Sequence, residues 1–556
     1  MSSNDLKSQG NALFSAKKFK EAGKKYTEAI EAGDEAADPK GLAVLYANRA
    51  ACRLSLKRPM DAKTDAKKAT QLDPTYAKAF ARLATSQDAL GIYSDSKESW
   101  QRALDALPKF DLTPAEETQK AQYQAGLTAA TAEVGKIKNT PIVGTHAIMV
   151  QGQGRMPWDH AAAILSRLRV APTNIDQLQS SAWVIHAAYE EFMGGVSKMN
   201  ELHIDPITDQ MRGISGVRSC CTYIEFSNLT YPTQAIVDLT NGIMRDSRVI
   251  HFTDNEFISK YNKQMMLEVS VHKPWTEAGP EVVIREALAR QRDQGWNSVR
   301  PSISCTVRAW IMRAVMDAGL RQRRHDVAVE FLKRTLDVLR SLRETWILVP
   351  ALDRGVVFDK TFLFGIQHLY IDSLMKFYTS NPSPEILEDL DKESDLLIRE
   401  VDEELRQPRS QEPVDPGFIS SFYIYPRGQA YAMKGFSYNK RAGLKRDREL
   451  SRKAAMEYLK AADSFPQDDE YHSWFLNVAL GNMFQARSFT LRELLDVMKR
   501  IRLSAPKAKD IWEHSSLSAS GLWGILEGVG DQEKQLRDML VQGTFTMDSC
   551  VAAEGL

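Results

Sequence analysis

The sequence predicts an all-α protein built from stacked helical hairpins. Three observations predict it: a hairpin pattern that repeats over the first 110 residues, apolar residues at helical spacing through most of the remainder, and a single stretch that reads as a strand. With 556 residues, the chain exceeds one simple core and implies roughly two to four domains or one long solenoid.

The first 110 residues hold three alignable units: "LKSQGNALFSAKKFKEAGKKYTEAI", "YANRAACRLSLKRPMDAKTDAKKATQLDP" and "FARLATSQDALGIYSDSKESWQRALDALP". Each reads as a helix, a short turn and a second helix. Small residues recur where the two helices must touch: Gly10, Ala50 and Ala84 in the first helices, then Ala22, Ala62 and Ser96 in the second. Ala29, Ala69 and Ala103 recur near the unit ends, and Leu6, Tyr46, Phe80, Tyr26 and Trp100 supply the bulk. Pro74 and Pro108 end the second and third units, since proline cannot continue a helix interior. The units fit 3–36, 43–76 and 77–110, with "AADPKG" inserted between the first two. The run "TPAEETQKAQYQAGLTAATAEVGKI" then predicts a helix that caps the last unit. An N-terminal domain over 1–137 follows.

Residues 138–157 break the pattern and read as a linker. A large, mostly helical domain is expected over 158–550, with a short tail at 551–556. "RSCCTYIEFSN" is rich in β-branched and aromatic residues and predicts a strand, which could pair with "TQAIVDL" in one small β-hairpin, or be helical if packing overrides propensity. "GQAYAMKGFSYNKRAG" followed by "LSRKAAMEYLKAADSFP" repeats the hairpin pattern, with Gly435, Ala454, Tyr458, Ala461 and Pro466 in place and a longer loop expected.

Composition narrows the function classes. The 72 Lys/Arg balance the 72 Asp/Glu, which argues against a nucleic-acid binder or a polybasic membrane protein. Residues 1–110 are mildly basic, with 19 Lys/Arg against 14 Asp/Glu, and suit an acidic partner. Five cysteines without a CxxC spacing fit a reducing compartment. A polar N-terminus and the lack of a long apolar run predict neither a signal peptide nor a membrane span, hence a cytoplasmic location.

The chemistry lies on the first helix of each unit. Lys7 and Asn11 are four residues apart and share a helix face. Asn48 stands on the first helix of unit two, and Lys78 and Arg82 repeat the four-residue spacing in unit three. Stacking three such helices brings three cations and two amides to one surface. That set suits a pair of adjacent carboxylates: arginine offers a planar fork, lysine a mobile charge, and asparagine both a donor and an acceptor.

The hairpins resemble the tetratricopeptide repeat (TPR). The five residues resemble the two-carboxylate clamp of Hsp70/Hsp90 co-chaperones of the Hop/Sti1, UNC-45 and Tom70 type, with all five clamp positions filled by the family's residue types. The resemblance covers about a quarter of the chain. It implies a peptide-binding site of Lys7, Asn11, Asn48, Lys78 and Arg82 for the C-terminal EEVD peptide of Hsp70 or Hsp90. It also implies an adaptor whose C-terminal helical domain holds a client or second partner. Spacing alone gives only an acidic chain end or a diacid. A general scaffold for another acidic peptide stays open, as does an enzyme or ligand-binding module in 158–550 tethered to chaperones.

Other motifs are weaker, and no enzyme, cofactor or metal is expected. Gly152 and Gly154 before a helix lack the third glycine of a dinucleotide loop, since Pro157 stands there. His186 and Glu190 share a helix face but make at most half a metal site. Adjacent Cys220 and Cys221 suit burial. "RQRRHD", Arg321 to Asp326, reads as a helix end or exposed turn.

Overall fold

The computed structural model describes residues 2–139, 148–149, 155–168, 180–205, 210–213, 223–226, 229–232, 234–252, 256–321, 323–407 and 416–552. The fold is all-α apart from short two-stranded pairings. Seven helices form the N-terminal array: α1 (Ser3–Ser15), α2 (Phe19–Glu31), α3 (Pro39–Ser55), α4 (Pro59–Leu72), α5 (Ala77–Ala89), α6 (Tyr93–Asp105) and α7 (Pro114–Asn139).

Local chemistry sets these boundaries. Ser2 and Asp5 close a reciprocal capping box at the start of α1. Asp38 accepts from the Gly41 N–H at 2.8 Å and Pro39 opens α3, so part of the "AADPKG" insertion lengthens that helix. Each hairpin turns through one left-handed residue, Lys17, Lys57 or Gly91. The recurring small residues are all buried, and they decide how close the helices lie. A Cβ on Gly10 would fall 2.7 Å from the Tyr26 ring. The last hairpin is covered by α7, whose Tyr123 and Ala130 pack on Phe80, Ala84, Trp100 and Ala103.

From α8 (Pro157–Leu168) onward, helices continue to Leu522–Val541 around one large apolar core. Met60 and Leu90 of the N-terminal array join that core. Polar contacts tie the same surfaces. Glu281 pairs with both Arg53 and Arg58, Lys63 pairs with Glu277, and the Gly279 N–H donates to Thr64 Oγ1 at 2.8 Å. Burial pushes the Glu277 and Glu281 carboxyls up, but the neighbouring Lys63, Arg53 and Arg58 outweigh it. Both therefore sit below the ordinary glutamate range. Arg324, part of the "RQRRHD" cluster, donates to the Tyr93 hydroxyl and pairs with Asp326 at 2.8 Å. This arginine stands immediately before the helix His325–Thr345, a helix end as the sequence suggests, and it is a contact between the array and the following helices rather than an exposed turn. Gln322 of the same cluster lies outside the described residues.

The strand prediction is half right. Tyr223–Phe226 is a strand, but it pairs antiparallel with Leu229–Pro232. "TQAIVDL" instead opens the helix Ala235–Arg245, because Ile236, Leu239 and Ile243 recur at helical spacing and are buried. A second antiparallel pair joins Leu202–Asp205 to Gln210–Gly213. Cys220, Cys221, Gly152 and Gly154 lie outside the described residues.

The late hairpin is present as Tyr425–Lys445 and Arg448–Ser464. Its loop is short, not long, because the first helix runs on to Lys445 and only Arg446 and Asp447 remain between the helices. A Cβ on Gly435 would fall 2.8 Å from the Tyr458 ring, the same close approach as Gly10 on Tyr26.

Candidate peptide-binding groove

The candidate groove residues stand on the first helices of the three hairpins, α1, α3 and α5. Gly10 lets the Tyr26 ring lie against α1, and the Tyr26 hydroxyl then donates to Asn11 Oδ1 at 2.8 Å. Burial pushes the Tyr26 phenol up to about 12, with Cys52 adding to the rise and a hydrogen bond with Asn48 opposing it. The hydroxyl therefore stays protonated at neutral pH and remains a donor. Asn48 Nδ2 also approaches Asn11 Oδ1, at 3.4 Å. The two amides from repeats one and two thus meet directly, pinned by a tyrosine from between them.

The cations come from α1 and α5. Lys7 is half-buried one turn before Asn11, Lys78 is exposed, and Arg82 is half-buried one turn further along α5. Burial raises the Cys52 thiol and the Tyr76 and Tyr123 phenols, and the Arg82 charge offsets part of each rise. Among the described residues Lys7, Lys78 and Arg82 form no ion pair. Other cations of the array do: Arg49 pairs with Asp65 at 2.8 Å, Arg53 with Asp65 at 2.6 Å and Lys68 with Glu35 at 2.7 Å.

The structure thus brings Asn11 and Asn48 into contact. Among the described residues Lys7, Lys78 and Arg82 form no hydrogen bond or ion pair with the other candidate residues. The sequence reading used Gly10 and Tyr26 only as packing residues. Their second task, orienting Asn11, needs the 15-residue reach from Tyr26 back to Asn11 that only the folded hairpin supplies. The electrostatic coupling of Arg82 to Tyr76 and Tyr123 was also missed. Tyr76 carried a signal, standing just before the α5 pattern.

Elsewhere, His186 Nε2 lies 3.3 Å from Glu190 Oε1. No group of three or more metal-ligating side chains occurs among the described residues. Asp159 accepts from the Met156 N–H at 3.0 Å, closing the start of α8. No helix among the described residues is long and apolar enough to cross a membrane.

No protein-family model matches the chain. It is 32% identical over 147 residues to heat shock protein STI1 of Saccharomyces cerevisiae, covering 25% of this chain and 24% of that one. It is 33% identical over 159 residues to the Hsp70-Hsp90 organizing protein of Triticum aestivum, covering 29% and 25%. The matches thus span about a quarter of the length of these relatives. Among solved structures, the Sgt2 TPR domain of Aspergillus fumigatus aligns at 26% identity over 24% of this chain and 81% of its own, with a TM-score of 0.21. Yeast Tom70 aligns at 13% identity over 98% of both chains, with a TM-score of 0.26. Superpositions this loose leave the fold assignment to the helix pairing itself. That pairing and the sequence identities make the chain similar to tetratricopeptide-repeat co-chaperones of the Sti1/Hop type.

Proposed function

We propose that the groove binds the C-terminal EEVD peptide of Hsp70 or Hsp90 through a carboxylate clamp of Lys7, Asn11, Asn48, Lys78 and Arg82. The observation that carries this reading is the pairing of pre-oriented amides with cations that have no acidic partner among the described residues. Asn11 is fixed by Tyr26 and Asn48, so its amide is oriented before a ligand arrives, which lowers the ordering cost of binding. The chain-terminal aspartate would bring two carboxylates to Lys7, Lys78 and Arg82. The relative named an Hsp70-Hsp90 organizing protein supports the choice of ligand.

Each charge-assisted bond contributes roughly 1.5–3 kcal/mol when made. After the cost of ordering a short peptide, micromolar affinity of about −8 kcal/mol is expected, and it falls with added salt. In the same reading, residues 1–137 are the tether and 158–550 hold a client or second partner. Tethering raises the local concentration of chaperone there. The protein acts as a cytoplasmic adaptor and performs no catalytic step of its own. The test is fluorescence anisotropy of a labelled EEVD peptide against the full chain and its Lys78→Ala and Arg82→Ala variants. Loss of binding with an unchanged circular dichroism spectrum supports the clamp, and unchanged binding in either variant refutes it.

A further inference from the structure

The hairpin turns of the two arrays meet different surroundings. In the N-terminal array, Arg334 donates to the Lys57 carbonyl, and Arg324 and Val327 lie close to Gly91. In the C-terminal array the corresponding left-handed turn residues are Arg446 and Arg487, and both line an open cleft of 650 Å³. The cleft floor is apolar, with Leu480 and Phe484 buried. Gly443 and Gly481 widen it, since an added Cβ at either would meet nothing within 4 Å.

Charge is concentrated at this end. Residues 440–453 carry seven Lys/Arg and two acids in a chain that is neutral overall. Asp447 is occupied by its own helix, accepting from the Glu449 and Leu450 N–H groups at 2.9 and 3.3 Å. Arg446 and Arg448 form no ion pair among the described residues, whereas Arg441, facing away, pairs with Asp391 at 2.5 Å. Arg446, Arg448 and Arg487 line the cleft against the single Asp447 carboxylate, and a concave surface with such a net positive charge focuses its field on an incoming anion. Asn477, Gln485 and Gln532 complete the lining.

We propose that this cleft is a second binding site, for an acidic peptide segment of a partner protein. The amides decide between anions. A phosphate needs donors only, whereas a peptide presents an N–H and a C=O at each residue, and Asn and Gln side chains serve both. The arginines take the acidic side chains as planar forks. The site needs no chain end, so it differs in kind from the N-terminal groove.

The test uses the full chain and a fluorescein-labelled decapeptide of glutamate and aspartate, C-amidated so that no terminal carboxylate is present. Anisotropy is expected to show binding that weakens with salt. Arg446→Glu with Arg448→Glu is expected to weaken it by roughly tenfold or more, the loss of at least one charge-assisted bond. Lys78→Ala with Arg82→Ala leaves it unchanged, which separates this site from the N-terminal groove. Should the reversal unfold the chain, Arg446→Gln with Arg448→Gln carries the same expectation to a smaller degree. No binding by the wild type, or equal binding by a folded reversal variant, overturns the proposal. So does inositol hexakisphosphate binding through Arg446 and Arg448 where the peptide fails.

Discussion

The hairpin α1–α2 and the hairpin Tyr425–Lys445/Arg448–Ser464 pack by one rule and use it for different ends. In both, a glycine on the first helix admits a tyrosine ring from the second: Gly10 with Tyr26, Gly435 with Tyr458. The positions that bear Lys7 and Asn11 in the first hairpin, three before and one after the glycine, are Ala432 and Phe436 in the second. Ala432 is buried, and Phe436 packs edge-on to Tyr378 at 5.8 Å. Three cations of that later helix are also engaged. Arg427, Lys434 and Arg441 pair with Asp402, Asp395 and Asp391 at 3.1, 2.7 and 2.5 Å. A helical hairpin therefore supplies a scaffold, and a lysine without an ion pair beside a pre-oriented asparagine on its first helix turns the scaffold into a candidate site.

The largest effect that would break this comparison is on ligand binding. Arg82→Ala or Lys78→Ala is expected to reduce EEVD-peptide affinity beyond detection, roughly tenfold or more per lost charge-assisted contact, with the thermal midpoint unchanged. The next effect falls on both hairpins. Gly10→Leu and Gly435→Leu each force a side chain into a tyrosine ring and should cost about 1–3 kcal/mol by overpacking, read from urea midpoints. Only Gly10→Leu should also weaken the peptide, because it displaces the Tyr26 hydroxyl that holds Asn11.

A smaller effect concerns the seam between the arrays. Glu281→Lys places a cation against Arg53 and Arg58 and should loosen the N-terminal array from the helix Pro280–Gln294. Limited proteolysis should show faster cleavage between the arrays, while peptide affinity stays within about twofold, since no clamp residue touches Glu281.

The smallest is a pH dependence that contrasts a buried acid with two exposed acids held in ion pairs. Glu268, inside the C-terminal core, accepts from Gln264 at 3.0 Å and is pushed up to about 7 by burial. The folded state keeps a proton that the unfolded chain releases above about pH 4.5, so this group's contribution to stability falls as pH rises toward 7. Glu277 and Glu281 behave oppositely. Their carboxyls are lowered, so their contribution is present above the ordinary glutamate range and is lost as pH falls below it. Glu268→Gln should flatten the decline in urea midpoint between pH 5 and 7.5, by on the order of 1–2 kcal/mol, and leave the acid-side loss intact.

The N-terminal hairpins were legible because short-range spacing determines them: small residues 12 apart in sequence, such as Gly10 and Ala22, fall at one helix crossing. The candidate clamp was legible for the same reason, as pairs four residues apart on one face. The seam was not. Arg53 and Glu281 are 228 residues apart, and nothing local in either stretch marks the other as its partner. The strand partner of Tyr223–Phe226 was missed because "TQAIVDL" is β-branched by composition but helical by period, and burial of Ile236, Leu239 and Ile243 decided in favour of the helix.

The central claim is that the N-terminal groove recognises a chain-terminal carboxylate. Calorimetric titration of the full chain with an acetylated peptide ending in Glu-Glu-Val-Asp, beside its C-terminal amide, tests it most directly. The account predicts micromolar binding of the free acid and none of the amide. Equal binding of the two, or no binding of the free acid, would contradict it.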